Sequence, residues 1–213
     1  MKITSVILAA GQGTRMRSTL PKVLHPILGK PLIWYAIRAA YQATKEPPVV
    51  VVGHQADRVR DDVDQDAHFV TQAERLGTGH AVQQAENILR GKSDLILVTY
   101  ADMPLISPET LENLIDAHRD HDGPISVLTL IAEDARGFGR IIRGAQDDVL
   151  AIVEEAQATP EQKAIRELNT GVMCFNADWL WDALPRVELS PKGEYYLTDL
   201  VAIAVEDNKK VQG

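Results

Sequence analysis

Short apolar runs recur along this chain, separated by stretches in which apolar positions return every three or four residues. Ile3–Ala9, Pro48–Val52, His68–Thr71, Leu95–Tyr100 and Ile125–Ile131 are short enough to read as buried strands. The spacing of Leu32, Tyr35, Ala36 and Ala39 predicts a helix over Pro31 to Ala43. Thr78 stands where it can cap a second helix, with Ala81, Val82, Ala85, Ile88 and Leu89 on one face. Ser107, Pro108 and Glu109 form a strong helix start: a capping hydroxyl, a proline at the first position and an acid at the positive end of the dipole. Leu111, Leu114, Ile115 and His118 continue that stripe. Strands alternating with helices predict an α/β architecture with a largely parallel sheet.

After Glu133 the pattern changes. Residues 139–143 and 149–153 read as a hairpin around a turn at 144–147, Gln157 to Arg166 as a short polar helix, and Glu167 to Phe175 as a further strand. The chain is therefore expected to be one domain, residues 1–213, in two subregions: about 1–132, and a small β-rich lobe over about 133–200 that walls a cleft. A length of 213 residues suffices for one sizeable core. No apolar run approaches the roughly 20 residues that span a bilayer, and the N-terminus lacks the signal-peptide pattern. The single cysteine, Cys174, lies in an apolar run and reads as a buried small hydrophobe. Together these features predict a cytoplasmic protein.

The candidate chemistry begins where the first strand empties into a glycine loop. Leu8 to Met16 reads Leu-Ala-Ala-Gly-Gln-Gly-Thr-Arg-Met, with Pro21 and Lys22 following. Glycines let the backbone approach a ligand and turn N–H groups toward phosphate oxygens, while Arg15 and Lys22 can neutralise phosphate charge. The loop is not the dinucleotide fingerprint, because Met16 stands where a third glycine would be. Nor is it a P-loop, because Thr14 and Arg15 follow Gly13. Residues 1–45 hold seven of the 22 basic residues and none of the 30 acidic ones, a distribution expected to gather positive charge around the loop. The net charge of −8 argues against nucleic acid and anionic membranes as partners.

Asp102, ending a buried run, reads either as a magnesium ligand or as a cap before Pro104. Gln72 can pair an amide donor and an acceptor with a base edge, and Gly77 and Thr78 offer an N–H and a hydroxyl; each is equally readable as a local cap. Glu154 and Asn169 could bind a sugar or pair internally. No Ser-His-Asp or Cys-His arrangement is evident, and the six histidines show no metal-ligand spacing.

The glycine loop together with Leu20 to His25 resembles the sugar-nucleotide pyrophosphorylases, and within them the uridyltransferase domains of bacterial bifunctional N-acetylglucosamine-1-phosphate uridyltransferase/glucosamine-1-phosphate acetyltransferases. The resemblance continues in order through Gln72–Ala81, Tyr100–Leu105, Gly137–Ile141, Ile152–Glu154, Glu167–Gly171 and Gly193–Asp199. It implies a Rossmann-like nucleotidyltransferase fold with a mostly parallel mixed sheet flanked by helices. It further implies a Mg²⁺-dependent reaction of UTP with N-acetylglucosamine-1-phosphate that yields UDP-N-acetylglucosamine for cell-envelope precursors. Leu8, Ala9, Ala10, Gly11, Gly13 and Thr14 would lie along the nucleotide, with Gln72, Gly77 and Thr78 at the base. Arg15 and Lys22 would bind the triphosphate, Tyr100 and Ala101 would line the ribose and sugar side, Asp102 would hold Mg²⁺, and Gly139, Glu154 and Asn169 would contact the sugar. Ala101 departs from the family's usual glycine, and Ala156 and Gln157 depart from a common Lys-Asp pair. The family's second magnesium ligand and its acetyltransferase β-helix fall outside these 213 residues, and a trimer is implied for the full-length form.

Overall fold

The computed structural model describes residues 1–63, 66–135 and 137–213, and every side chain among them except that of Arg15. The strands are β1 (Ile3–Ala9), β2 (Pro26–Ile27), β3 (Lys30–Pro31), β4 (Val49–Val52), β5 (His68–Thr71), β6 (Leu95–Tyr100), β7 (Ile125–Ile131), β8 (Arg140–Arg143), β9 (Val149–Val153), β10 (Glu167–Asn176) and β11 (Val211–Gln212). The helices are α1 (Leu32–Thr44), α2 (Ala56–Asp61), α3 (Thr78–Gln83), α4 (Glu86–Leu89), α5 (Pro108–Arg119), α6 (Pro160–Lys163), α7 (Ala177–Ala183) and α8 (Asp199–Glu206).

The sheet runs β11-β7-β10-β6-β1-β4-β5. Strands β6, β1, β4 and β5 are mutually parallel, whereas β10 runs antiparallel to both β6 and β7. The β8–β9 hairpin joins β10 through the pairing of Arg140 with Leu168. β1 is buried along its whole length, so both faces must be apolar and its side chains divide by parity. Val6 and Leu8 enter one core with α3, α4, α7 and α8, whose largest member is the fully buried Trp181. Ile7 and Ala9 enter the opposite core with α1 and the Val59 side of α2.

Two helices differ from the sequence pattern. The stretch after Thr78 breaks at Gln84 and Ala85 into α3 and α4. Its cap is Gly77, while the Thr78 hydroxyl accepts the Leu197 N–H at 3.0 Å. Only Pro160–Lys163 of the polar segment is helical, closed by a capping box between Thr159 and Gln162. The Ser107 cap forms as expected, accepting from the Thr110 N–H. Among the described residues no helix is long and apolar enough to cross a membrane.

His118 of α5 is buried between Ser126 on β7 and Asn176 at the end of β10, 2.9 Å and 3.0 Å away. Burial pulls its pKa below the ordinary value of about 6.5, outweighing the Asn176 hydrogen bond that raises it, with His121 adding to the lowering. The folded protein therefore binds fewer protons here than the unfolded chain. Stability is complete above about pH 6.5 and declines as the pH falls from there toward the folded-state value. Chemical denaturation from about pH 7 to about pH 5 should show a steeper loss for wild type than for His118→Gln, which carries no titrating ring.

Candidate functional site

The carboxyl ends of β1, β5 and β6 open into a cleft of about 820 Å³. In an open α/β sheet this is where loops diverge to either side and leave a crevice. Leu8, Ala9, Ala10, Gly11, Gly13 and Thr14 line it from β1, Gln72, Gly77 and Thr78 from beyond β5, and Tyr100 and Asp102 from β6. The predicted nucleotide residues are thus brought together from segments far apart in sequence.

Lys22 joins them through the loop's own packing. A Cβ on Gly13 would fall 2.6 Å from the Lys22 Cβ, so the glycine is what allows the loop to close against the lysine. The Lys22 ammonium forms an ion pair with the Asp102 carboxylate inside the cleft, and both side chains are half-buried. The residues expected to hold a triphosphate and a metal neutralise each other in this structure. Arg15 lies on a single 3₁₀ turn, Thr14–Met16, and its side chain is outside the described residues.

Gln72 is nearly buried at 4% exposure. Its amide nitrogen donates to the Gly77 carbonyl at 2.9 Å and sits 3.1 Å from His80 Nδ1. A carbonyl can only accept, so the amide orientation is fixed, and the Gln72 carbonyl oxygen remains for a ligand. This differs from the expectation that both ends of the amide would face a base. Gly77 is itself held from a distance: the Tyr195 N–H donates to the Leu76 carbonyl at 2.7 Å and the Gly79 N–H donates to the Tyr195 carbonyl at 2.8 Å. Glu194 and Tyr196, from the same segment, line the cleft.

The residues expected on the sugar side form a neighbouring group. Gly139, Glu154 and Asn169 do not line the cleft but lie against one another: the Asn169 N–H donates to the Gly139 carbonyl at 2.9 Å, and a Cβ on Gly139 would lie 3.6 Å from Glu154 Oε1. Tyr100 links the two regions, lining the cleft while its ring covers Gly171 on β10. Burial pushes the Tyr100 phenol up to about 12, with Asp102 and Glu154 contributing, so it remains a neutral O–H donor. Burial likewise raises the Glu154 carboxyl, an effect opposed by Lys192 and reinforced by Asp199.

Two further expectations change. Ala101 does not face the cleft; it is fully buried in the α1-side core and gives its N–H to the Leu8 carbonyl at 3.0 Å. Tyr100 faces one side of the sheet, so the next residue faces the other. Four of the seven N-terminal cations also stand away from the loop. Lys2 pairs with Glu46, Lys45 pairs with Glu112, and Lys30 and Arg38 cover the Trp34 ring. Arg75, which no charge pattern singles out, lines the cleft instead.

A family profile described as the MobA-like NTP transferase domain matches residues 5–178. Over all of its 213 residues the chain is 44% identical to the bifunctional protein GlmU of Brevibacillus brevis, of which it covers 46%. Against the bifunctional protein GlmU of Geobacter metallireducens it is 46% identical, covering 96% of this chain and 44% of that protein. The chain therefore spans about half the length of the curated relatives it matches. Among solved structures, a UDP-glucose pyrophosphorylase complexed with UDP-glucose superposes with a TM-score of 0.80 at 22% identity, covering 100% of this chain and 90% of that one. A CMP:2-keto-3-deoxy-manno-octonic acid synthetase complexed with CTP gives 0.73 at 19% identity, covering 100% and 88%. At such identities these likenesses speak to the fold. With the sequence match running from β1 into α7, through the loops that build the cleft, this chain belongs to the MobA-like NTP transferase domain family.

Proposed function

We propose that this chain transfers a uridylyl group from UTP to N-acetylglucosamine-1-phosphate, in the cytoplasm, giving UDP-N-acetylglucosamine and pyrophosphate. The observation that carries this reading is the single cleft joining the glycine loop, Lys22, Asp102 and the Gln72 carbonyl oxygen. The Gln72 oxygen is an acceptor suited to the N3–H of uracil, whereas cytosine presents a lone pair at that position. A Cβ built on Gly11 meets nothing within 4 Å, so the protein's own packing does not require a glycine there, and the bare backbone leaves room for a phosphate. The likeness to GlmU proteins, over nearly the whole of this chain and about half of each of theirs, supports the same chemistry.

In the reaction a phosphate oxygen of the sugar phosphate attacks the α-phosphorus of UTP in line. The bond from that phosphorus to the β-phosphate bridging oxygen breaks, and pyrophosphate leaves with the electron pair. No protein nucleophile is needed, so the residues act by positioning and by charge. Lys22 can turn from Asp102 onto the phosphates, and the loop N–H groups orient them.

The donor set at Asp102 suits a hard cation such as Mg²⁺. Mg²⁺ fills most of its shell with water and phosphate oxygens, so one carboxylate facing the cleft is enough protein for it. Asp102 would hold it, and the ion would supply neutralisation of phosphate charge. Pyrophosphate release measured with UTP, CTP, GTP and dTTP, each with N-acetylglucosamine-1-phosphate or glucose-1-phosphate, tests the reading. Turnover should favour UTP with the N-acetylated sugar by at least about tenfold, and a preference for any other pair would overturn it.

A further inference from the structure

The Glu167–Gly171 block contains Thr170 and Gly171, to which the reading above gives no role. In the pairing of β10 with β7, Asn169 lies opposite Thr129 and Met173 opposite Val127, so Thr170, Gly171 and Val172 together face the single residue Leu128. This is a bulge, which bends a strand and re-aims its side chains. Local hydrogen bonds pin it. The Thr170 hydroxyl donates to the Leu128 carbonyl at 2.7 Å and accepts the Val172 N–H at 3.2 Å. The Gly171 N–H donates to Asn169 Oδ1 at 2.9 Å.

Two sugar-side groups depend on this bulge. Asn169 has its carbonyl oxygen occupied, which leaves its NH₂ as a donor of fixed direction. On the other neighbour, Met173 pairs with Val98 of β6, and continuing that antiparallel register sets Gly171 across from Tyr100. The Tyr100 ring lies directly on Gly171, and a Cβ there would fall 2.7 Å from the ring. The bulge thus fixes both the direction of Asn169 and the level at which Tyr100 stands in the cleft.

We infer that Thr170 is a positioning residue: its hydroxyl pins the β10 bulge and thereby sets Asn169 and Tyr100 for the sugar phosphate, while the uridine side of the cleft does not depend on it. The inference rests on the proposed assignment of Asn169 to the sugar.

The test compares Thr170→Val, which keeps the branched shape without the hydroxyl, with Thr170→Ser, which keeps the hydroxyl. Hydrogen exchange at the Val172 and Gly171 amides should quicken at least about tenfold in Thr170→Val and return toward wild type in Thr170→Ser. In the forward reaction, KM for N-acetylglucosamine-1-phosphate should rise about five- to tenfold in Thr170→Val, with KM for UTP within about twofold of wild type and recovery in Thr170→Ser. Unchanged exchange would overturn the pinning, and an equal rise in both KM values would overturn the positioning role. If the wild-type protein turned over no sugar phosphate, the proposed function would fall, and the exchange measurement would still decide the pinning.

Discussion

Lys22→Ala should lower kcat/KM for uridylyl transfer by about 10²–10³-fold while leaving the fold intact. The ammonium is a cation that the structure places within the cleft against the glycine loop, and in the proposed reaction its contribution would be greatest as negative charge moves onto the departing pyrophosphate. Loss of the ion pair with Asp102 should cost little stability, because both side chains are half-buried and water screens the attraction. Lys45→Ala is the matching control: it removes a cation from the same N-terminal segment, but one paired with Glu112 at the end of α1. Steady-state kinetics of both variants with thermal unfolding alongside would check this. Turnover by Lys22→Ala within about twofold of wild type would remove the lysine from the mechanism.

Gly77→Ala should be strongly damaging for the addition of a single methyl group. Gly77 has φ +97° and ψ −178°, a conformation essentially reserved for glycine, and costs for other residues there run about 1–3 kcal/mol. The added Cβ would also fall 2.5 Å from the Tyr195 carbonyl oxygen and 2.8 Å from its nitrogen. Those backbone atoms hold Gly79 and Leu76, so they cannot withdraw without breaking the connection, and overpacking adds about 1–3 kcal/mol more. We expect about 3 kcal/mol of lost stability by denaturant titration, together with a weakened preference for UTP over CTP as the residue-77 carbonyl that orients Gln72 is displaced. A variant as stable as wild type with an unchanged base preference would show that the 195–197 segment does not support the base site.

What could be read from the sequence follows from how local its causes are. β1, β5, β6, β7 and β9 have the boundaries expected of them, since a short, mostly apolar run bounded by polar or turn-forming residues has few other ways to fold. The same holds for the Ser107 cap, whose hydroxyl and its target lie three residues apart. The split between α3 and α4 was not legible, nor was the use of the Thr78 hydroxyl, because its partner, Leu197, is 119 residues away. Charge misled for a related reason. Counting cations along residues 1–45 ignores that Glu46 and Glu112 meet two of them and that Trp34 takes two more. Glu194 and Tyr196 were visible as part of a family block, but only tertiary folding gives them a place in the cleft.

Because Tyr195 and Leu197 complete the turn at Gly77 and Gly79, the proposed nucleotide site is assembled only once synthesis has passed the 195–197 segment. On the proposed function, a nascent chain lacking this late segment would gain little stabilisation from UTP, since a ligand stabilises only the form that binds it. Substrate would then protect the folded domain from unfolding without assisting its synthesis.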